Sequence, residues 1–291
     1  MATTTDPDLG RPLAVLGAGV MGTAITALAI GRGIPVVLLD VSETVAEQAA
    51  TAAYNQMRMA RIMGKLPSAG GTGSVRTTTD MRDIASCRAV IEAVTERAEV
   101  KAKVLAEASA VVADGTLIVS NTSAIPIDEQ ADWVSRPADL VGIHFMNPPY
   151  LIDTAELIQG PRTSVSTLAA ATDLLESLGQ HGVLVGDGPG FVINRILQRM
   201  INEAARIVQE NVATPQAVDE AFRGCLGHPT GPLGTADLIG LDNVVDSLQI
   251  LHERTRDDGY LPCDLLRAKV VDGDLGRKTG RGFFDYGGTT S

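Results

Sequence analysis

Short apolar runs alternate with longer stretches of helical periodicity over the first two-thirds of the chain. The apolar runs are rich in Val, Ile and Leu and span residues 13–16, 35–40, 75–79, 89–94, 117–121 and 140–144. Such runs are typical of strands buried on both faces of a parallel sheet. Helices are predicted between them over 23–31, from an N-cap at Ser42 to about Met63, and over 99–113. The alternation predicts a doubly wound α/β sheet.

The pattern of the chain changes after about Gly190. Residues 191–209 form a long amphipathic run, and the segments that follow have helical or loop character without strand candidates. We therefore place a domain boundary within 187–190. The prediction is an α/β domain over 1–189 followed by an all-α C-terminal domain over 190–291.

A glycine-rich segment follows the first predicted strand and opens the next helix. Its sequence, Gly17-Ala18-Gly19-Val20-Met21-Gly22, has the form GxGxxG. The first glycine permits a tight turn, the second lets the backbone approach a pyrophosphate, and the third lets helix and strand pack closely. The helix start at Val20 and Met21 supplies N–H donors to phosphate. In this strand–turn–helix context the motif predicts dinucleotide binding, although a glycine turn alone could simply join a strand to a helix.

Asp40 ends the second predicted strand and refines the cofactor prediction. A carboxylate at this position accepts hydrogen bonds from a ribose 2′-hydroxyl and repels a 2′-phosphate. The sequence therefore predicts a Rossmann-type domain that binds NAD rather than NADP, with FAD as an alternative.

Composition and charge exclude several classes of partner. The formal net charge of −11 argues against broad binding to nucleic acid or to an anionic membrane. The cysteines Cys87, Cys225 and Cys263 lie far apart with no metal-ligand spacing, so neither a disulfide framework nor a metal site is predicted. The first eleven residues resemble no export signal, and no apolar run has membrane-spanning length. These observations predict a soluble, cytoplasmic protein.

His144 stands at the end of the last predicted strand, where open α/β sheets bind their ligands. An imidazole can accept a hydroxyl proton near neutral pH, and it does so better when a carboxylate fixes its tautomer. Glu156, twelve residues further on, is a candidate for that carboxylate. The residues alone leave open that His144 is an ordinary buried histidine.

Several motifs in order resemble the 3-hydroxyacyl-CoA dehydrogenase family over nearly the whole chain. They are Asn121-Thr122-Ser123, His144-Phe145-Met146-Asn147-Pro148-Pro149 with Glu156, Gly188-Pro189-Gly190-Phe191-Val192-Ile193-Asn194-Arg195, and the segments 231–233, 236–242 and 276–286. A set of separate motifs in this order is more specific than one glycine loop. The resemblance implies an NAD-dependent dehydrogenase that oxidises the 3-hydroxyl of a thioester-bound acyl group.

The resemblance also implies a role for individual residues. His144 would be the catalytic base, Glu156 would orient it, and Ser123 and Asn194 would bind the substrate oxygens. Further contacts with the cofactor are implied for Glu96, Lys101, Asn121 and Asn147. Structural alternatives remain for most of these: a strand-end serine, a helix-surface amide, a solvated helix start and a loop-shaping asparagine.

The sequence leaves open whether the acyl group is carried by CoA or by an acyl carrier protein. Residues 67–73 shorten a region that is basic and helical in typical relatives, and residues 257–262 are acidic where relatives often carry basic residues. Arg58, Arg61 and Lys65 are predicted on one helix, where they could meet a phosphopantetheine phosphate or an acidic acyl carrier protein, or could simply be solvated. The chain also resembles a branch that oxidises glyceryl-carrier protein for hydroxymalonyl or methoxymalonyl polyketide extender units.

Two other functions are compatible with the sequence. A dehydrogenase of a free hydroxy acid or sugar acid would need an arginine to hold the carboxylate, and Arg195 is the candidate. A non-catalytic NAD-binding protein is the second alternative. Relatives usually pair through the helical domain, and the apolar faces of 191–209 and 238–251 are compatible with a homodimer.

Overall fold

The computed structural model of the protein describes residues 10–68 and 71–287. These residues fall into two compact units that divide between Gly188 and Pro189. The first unit contains the sheet and its flanking helices, and the second is helical. This arrangement confirms the predicted fold class.

The first unit is built on an eight-stranded sheet. Its strands are β1 (Leu13–Leu16), β2 (Val36–Leu39), β3 (Val75–Thr78), β4 (Ala89–Glu92), β5 (Leu117–Ser120), β6 (Leu140–Phe145), β7 (Thr154–Gln159) and β8 (His181–Gly186). Their order across the sheet is β3-β2-β1-β4-β5-β6-β7-β8. All neighbouring pairs are parallel except β6 and β7, which are antiparallel. The carboxyl ends of β1 to β6 therefore meet at one edge.

The last two strands were not predicted from the sequence. Strand β8 lies at the edge of the sheet and is mostly exposed, with Leu184 at 56% exposure, so it lacks the continuous buried run of an internal strand. Strand β7 begins with polar Thr154 and carries Glu156 in its middle, and this breaks the apolar pattern. Neither strand has a clear sequence signal of its own: β7 is held by pairing with β6, and β8 by pairing with β7.

Five α-helices lie in the described residues of the first unit. They are α1 (Val20–Gly31), α2 (Glu43–Ile62), α3 (Ala98–Val111), α4 (Ile127–Gln130) and α5 (Val165–Ser177). Helix α1 is Ala- and Ile-rich and almost wholly buried against the sheet. The predicted cap of α2 is present, because the Ser42 hydroxyl accepts the Val45 N–H at 3.4 Å. The core between helices and sheet is aliphatic, as low aromatic content requires.

In the second unit, the described residues form five α-helices around a separate apolar core. These are α6 (Ile193–Gln209), α7 (Pro215–Leu226), α8 (Pro232–Ile239), α9 (Leu241–Thr255) and α10 (Asp264–Val271). The core includes fully buried Ile201, Leu248 and Leu266. Buried Asp237 accepts the N–H groups of Phe283 and Phe284 and the hydroxyl of Tyr286, and so fastens the C-terminal segment to α8.

Two further properties concern the part of the chain that the structure describes. No helix there is long and apolar enough to cross a bilayer. No group of three or more His, Cys, Asp or Glu side chains there is arranged to hold a metal ion.

Candidate active site

The glycine turn after β1 has no room for side chains at two of its positions. Gly17 has φ +99°, and a Cβ on it would lie 2.8 Å from the Ala93 carbonyl oxygen. A Cβ on Gly22 would lie 1.8 Å from the Gly17 carbonyl oxygen. Gly19, by contrast, is exposed and a Cβ there would meet no described protein atom within 4 Å. Gly17 and Gly22 are therefore required by the fold, whereas Gly19 leaves space outside the turn for a ligand.

Asp40 fixes the turn from the neighbouring strand. Its Oδ2 accepts the Ala18 N–H at 2.8 Å and its Oδ1 accepts the Ser42 N–H at 3.1 Å. A carboxylate oxygen can accept more than one hydrogen bond, so both oxygens retain capacity for ribose hydroxyls. The first turn of α1 has no acidic residue and no side-chain cap. An open helix N-terminus, a bare glycine surface and a partly exposed carboxylate fit the pyrophosphate and ribose of a dinucleotide.

His144 and Glu156 form a buried pair on β6 and its antiparallel neighbour β7. They are directly opposed in the β6–β7 register. The His144 Nδ1 and Glu156 Oε2 atoms are 2.7 Å apart, and both side chains are less than 10% exposed. The carboxylate is placed to hold the tautomer in which Nδ1 carries the proton and Nε2 the basic lone pair. Such an imidazole can take a proton and have its positive charge balanced.

Asn121 connects the ends of three adjacent strands. Its backbone N–H donates to the Glu92 carbonyl oxygen at 2.9 Å, and its side-chain Oδ1 accepts the Phe145 N–H at 3.0 Å. The residue thus fixes the backbone directly after His144. An amide oxygen has two lone pairs, so the contact with Phe145 leaves both the oxygen and the nitrogen of this amide able to make the predicted cofactor contact.

Lys101 is completely buried and binds two carboxylates. Its Nζ lies 2.8 and 3.0 Å from the two Glu92 oxygens and 3.1 Å from Glu96 Oε2. An ammonium group has three N–H donors, and these contacts use all of them. The alternative of a solvated helix start is therefore wrong for Lys101, and in this arrangement its ammonium has no donor left for a cofactor.

Glu96 holds the segment after β5. Its Oε1 accepts the Thr122 hydroxyl at 2.5 Å, the Ser123 N–H at 2.8 Å and the Ala124 N–H at 3.1 Å. Burial alone would raise the pKa of Glu96, but Lys101 and the donors from Thr122 and Ser123 outweigh it and leave the pKa below its ordinary value. Burial likewise opposes the charge of Lys101, but Glu96 and Glu92 raise its pKa above the ordinary value. Glu96 and Lys101 are therefore charged at neutral pH.

The remaining predicted residues differ in exposure. Ser123 is partly exposed, with its backbone N–H held by Glu96. Asn147 is exposed in the turn after β6. Asn194 is buried in the first turn of α6 in the second unit. Arg195 follows it, is exposed, and accepts the Tyr260 hydroxyl at its backbone carbonyl.

The basic residues near α2 are not arranged as the sequence predicted. The helix ends at Ile62 and the chain turns at Gly64, so Lys65 lies beyond the helix. Arg61 donates to the Thr72 hydroxyl at 3.0 Å and to the Gly31 and Gly71 carbonyl oxygens at 3.4 Å. Its guanidinium therefore holds residues 71 and 72 against the end of α1 instead of facing a partner. The prediction of three basic side chains on one helix is therefore wrong.

Glu92 is a residue of this site that was not predicted from the sequence. It ends β4, is fully buried, and accepts hydrogen bonds from Lys101, Ser120 and the Val94 N–H. A signal was present in the sequence, because an acidic residue closing a run of Ala, Val and Ile needs a buried partner. Lys101, on the helix that follows, is that partner.

Comparisons with known proteins agree with this geometry. Residues 12–188 match the sequence model for the 3-hydroxyacyl-CoA dehydrogenase NAD binding domain, and residues 190–286 match that for the C-terminal domain of the same family. The probable 3-hydroxybutyryl-CoA dehydrogenase of Deinococcus radiodurans is 39% identical over 274 residues, which cover 94% of this chain and 99% of the relative. The 3-hydroxybutyryl-CoA dehydrogenase of Bradyrhizobium diazoefficiens is 39% identical over 281 residues, 96% of each chain.

Solved structures give the same result. The (S)-3-hydroxybutyryl-CoA dehydrogenase PaaH1 of Ralstonia eutropha superimposes with a TM-score of 0.86 at 35% identity, covering 96% of this chain and 99% of that one. FadB2 of M. tuberculosis superimposes with a TM-score of 0.89 at 32% identity, covering 96% and 100%. The chain belongs to the 3-hydroxyacyl-CoA dehydrogenase family. It is an NAD-dependent oxidoreductase, so the NAD prediction is confirmed and the FAD and non-catalytic alternatives are discarded.

Proposed function

We propose that this protein oxidises the 3-hydroxyl of a short 3-hydroxyacyl-CoA to the 3-oxo group, with His144 as general base. The buried 2.7 Å contact between His144 and Glu156 is the observation that carries the proposal. A histidine beside a carboxylate is an effective acceptor for an alcohol proton near neutral pH. The names of the relatives point to 3-hydroxybutyryl-CoA as the first substrate to test.

The chemistry requires the loss of a proton from oxygen and of a hydride from carbon 3. The proton passes to Nε2 of His144 as the carbon–oxygen bond becomes a carbonyl, and bound NAD⁺ supplies the acceptor for the hydride. Nδ1 donates to Glu156 throughout, so the carboxylate stabilises the imidazolium that forms. The products are the 3-oxoacyl thioester, NADH and one proton, which His144 releases to solvent.

Ser123 and Asn194 are proposed to bind the substrate oxygens. The Ser123 backbone is fixed by Glu96, so its partly exposed hydroxyl is presented by a rigid segment. Asn194 offers both a donor and an acceptor from the start of α6. Gly17, Gly19, Gly22 and the start of α1 would hold the pyrophosphate, Asp40 a ribose, and Asn147 is proposed to lie near the nicotinamide.

The acyl group is proposed to be carried either by free CoA or by an acyl carrier protein. Free CoA is favoured here because the relatives are named for CoA substrates and because Arg61 is committed to Thr72 and to backbone carbonyls. Arg58 and Lys65 are exposed and support the acyl-carrier-protein alternative, with its role in polyketide extender units. The free hydroxy acid or sugar acid alternative depends on Arg195, which is exposed on α6.

The assembly and location of the enzyme are also proposals. Exposed apolar side chains in the second unit, with Ile196 at 64% and Leu238 at 62%, support a homodimer through the helical unit. Static light scattering tests it, and a monomer mass at working concentration would rule the dimer out. Cytoplasmic location remains a prediction.

One set of assays tests the proposed function. NADH formation is measured with 3-hydroxybutyryl-CoA, glyceryl-carrier protein and free 3-hydroxybutyrate, for wild type and for His144→Ala. We expect the CoA thioester to be turned over best and His144→Ala to lower kcat by about 10²- to 10⁴-fold. His181→Ala, which removes an exposed histidine of the same unit, is the matched control. If the carrier protein or the free acid were turned over best, that compound would replace the CoA thioester as the proposed substrate. Full activity of His144→Ala would show that His144 is not the general base.

A further inference from the structure

Glu92 lies at the centre of a buried hydrogen-bonded network behind the candidate site. Its Oε1 accepts the Val94 N–H and Lys101 Nζ, both at 2.8 Å. Its Oε2 accepts Lys101 at 3.0 Å and the Ser120 hydroxyl at 2.8 Å. The side chains of Glu92 and Lys101 are 0% exposed. Every polar atom of this carboxylate is therefore satisfied inside the protein, which makes its geometry rigid.

One branch of the network leads to Ser123. Lys101 contacts Glu96 at 3.1 Å, and Glu96 accepts the backbone N–H groups of Ser123 and Ala124. The position of Glu96 depends on Lys101, since that ammonium is the charge that compensates for burial of the carboxylate. The position of Lys101 depends in turn on Glu92, which supplies two of its three acceptors.

A second branch leads to the residue after His144. The Glu92 carbonyl oxygen accepts the Asn121 N–H, and the Asn121 side chain accepts the Phe145 N–H. The same residue thus contributes to the backbone on both sides of the candidate site. A substitution of the Glu92 side chain perturbs the first branch directly, while the main-chain bond of the second branch can persist.

We propose that Glu92 is a positioning residue that holds Ser123 in its substrate-binding conformation through Lys101 and Glu96. The proposal rests on the proposed function in one respect, namely that Ser123 binds the acyl thioester. It also assigns Lys101 a new role: the lysine orders the segment at 122–124 from behind instead of binding the cofactor.

Glu92→Gln is the direct test because it keeps the shape of the side chain. Whichever way the amide is turned, its NH₂ group faces at least one N–H donor of Lys101, so the lysine loses an acceptor. We expect kcat/KM for the thioester to fall about tenfold, mainly through KM, which corresponds to about 1.4 kcal/mol. The KM for NAD should change less than about threefold. Glu107→Gln, at an exposed position of α3, is the matched control.

A double-mutant cycle with Ser123→Ala separates positioning from a general structural effect. If Glu92 acts through Ser123, Glu92→Gln adds little to the loss already caused by Ser123→Ala. If the two losses multiply, Glu92 does not act through Ser123 and the proposal fails. Lys101→Met provides a second cycle, because it strands the buried charge of Glu92, and adding Glu92→Gln should then restore part of the activity. Lys103→Met is its exposed control on the same helix.

Amide hydrogen exchange tests the proposal independently of turnover. The Ser123 and Ala124 N–H groups should exchange about tenfold faster in Glu92→Gln than in wild type or Glu107→Gln. Unchanged exchange at these two amides would overturn the positioning role even in an active enzyme. Faster exchange in a protein that lacks thioester activity would support the role of Glu92 while contradicting the proposed function.

Discussion

His144 and Glu156 occupy directly opposed positions of an antiparallel strand pair, and 2.7 Å separates His144 Nδ1 from Glu156 Oε2. The contact is set by the register of β6 and β7, so it does not depend on a flexible loop. A shift by one residue would turn Glu156 to the other face of the sheet. The antiparallel pairing of β6 with β7, which was not predicted from the sequence, therefore places the Glu156 carboxylate against the His144 imidazole.

Glu156→Gln tests the electrostatic part of this pair. The amide keeps the volume of the side chain, and its oxygen can still accept a hydrogen bond from the Nδ1–H group, but a neutral amide cannot balance the charge of an imidazolium. We expect kcat to fall about a hundredfold with little change in the KM for NAD, as measured by steady-state NADH formation. Glu176→Gln, on the exposed face of α5, should behave as wild type. Wild-type kcat in Glu156→Gln would mean that charge balance at Glu156 does not contribute.

The glycine turn allows cofactor binding to be separated from stability. Gly19→Ala meets no described protein atom, so the fold should be retained, with Tm within about 2 °C of wild type, while NAD binding weakens about tenfold or more. Gly22→Ala would place its Cβ 1.8 Å from the Gly17 carbonyl oxygen and should lower Tm strongly. Thermal melts and calorimetric titration with NAD measure the two effects. Unweakened binding by Gly19→Ala would contradict close approach of the pyrophosphate at this residue.

Glu96 predicts a pH dependence of stability. Its pKa lies below the ordinary value of 4.5 in the folded protein, because Lys101 and its hydrogen-bond donors outweigh burial. As the pH falls, the unfolded chain protonates Glu96 at a higher pH than the folded protein does. The stabilisation from the charged carboxylate is therefore complete above pH 4.5 and is lost as the pH falls through the pKa of the folded protein. Thermal melts should show Glu96→Gln less stable than wild type at pH 7, with a gap that narrows on acidification. A gap independent of pH would exclude Glu96 as the titrating group.

The cysteines should differ sharply in reactivity. Burial raises the pKa of Cys87 to about 11 and also raises the pKa of Cys263, and both thiols are buried, whereas Cys225 is exposed at the end of α7. The thiolate is the reactive form, so one thiol should react rapidly with a disulfide reagent in the native protein and three after unfolding. Cys225→Ser should lose the rapid phase. A rapid phase that survives this substitution would place reactivity at a buried thiol.

Features that depend on short stretches of sequence could be predicted without the structure. The glycine turn, Asp40, the Ser42 cap and the buried parallel strands each carry a short-range signal. His144 could be placed at a strand end, but its contact with Glu156 depends on β7, whose apolar pattern is interrupted by Glu156 itself. The apolar run that Glu92 closes indicates that this carboxylate needs a buried partner, but only the packing of α3 against the sheet shows that the partner is Lys101. The contacts of Arg61 likewise depend on residues 71 and 72 lying beside the end of α1.

Asp237 has a practical consequence for the handling of this protein. Its carboxylate is 1% exposed and takes three donors from residues within the last nine of the chain. Cutting the chain before Phe283 would leave the buried negative charge of Asp237 without these donors and would remove Phe283 from the core of the second unit. A variant shortened before Phe283 would therefore lose the attachment of the C-terminal segment to α8, and we expect its helical unit to be less stable.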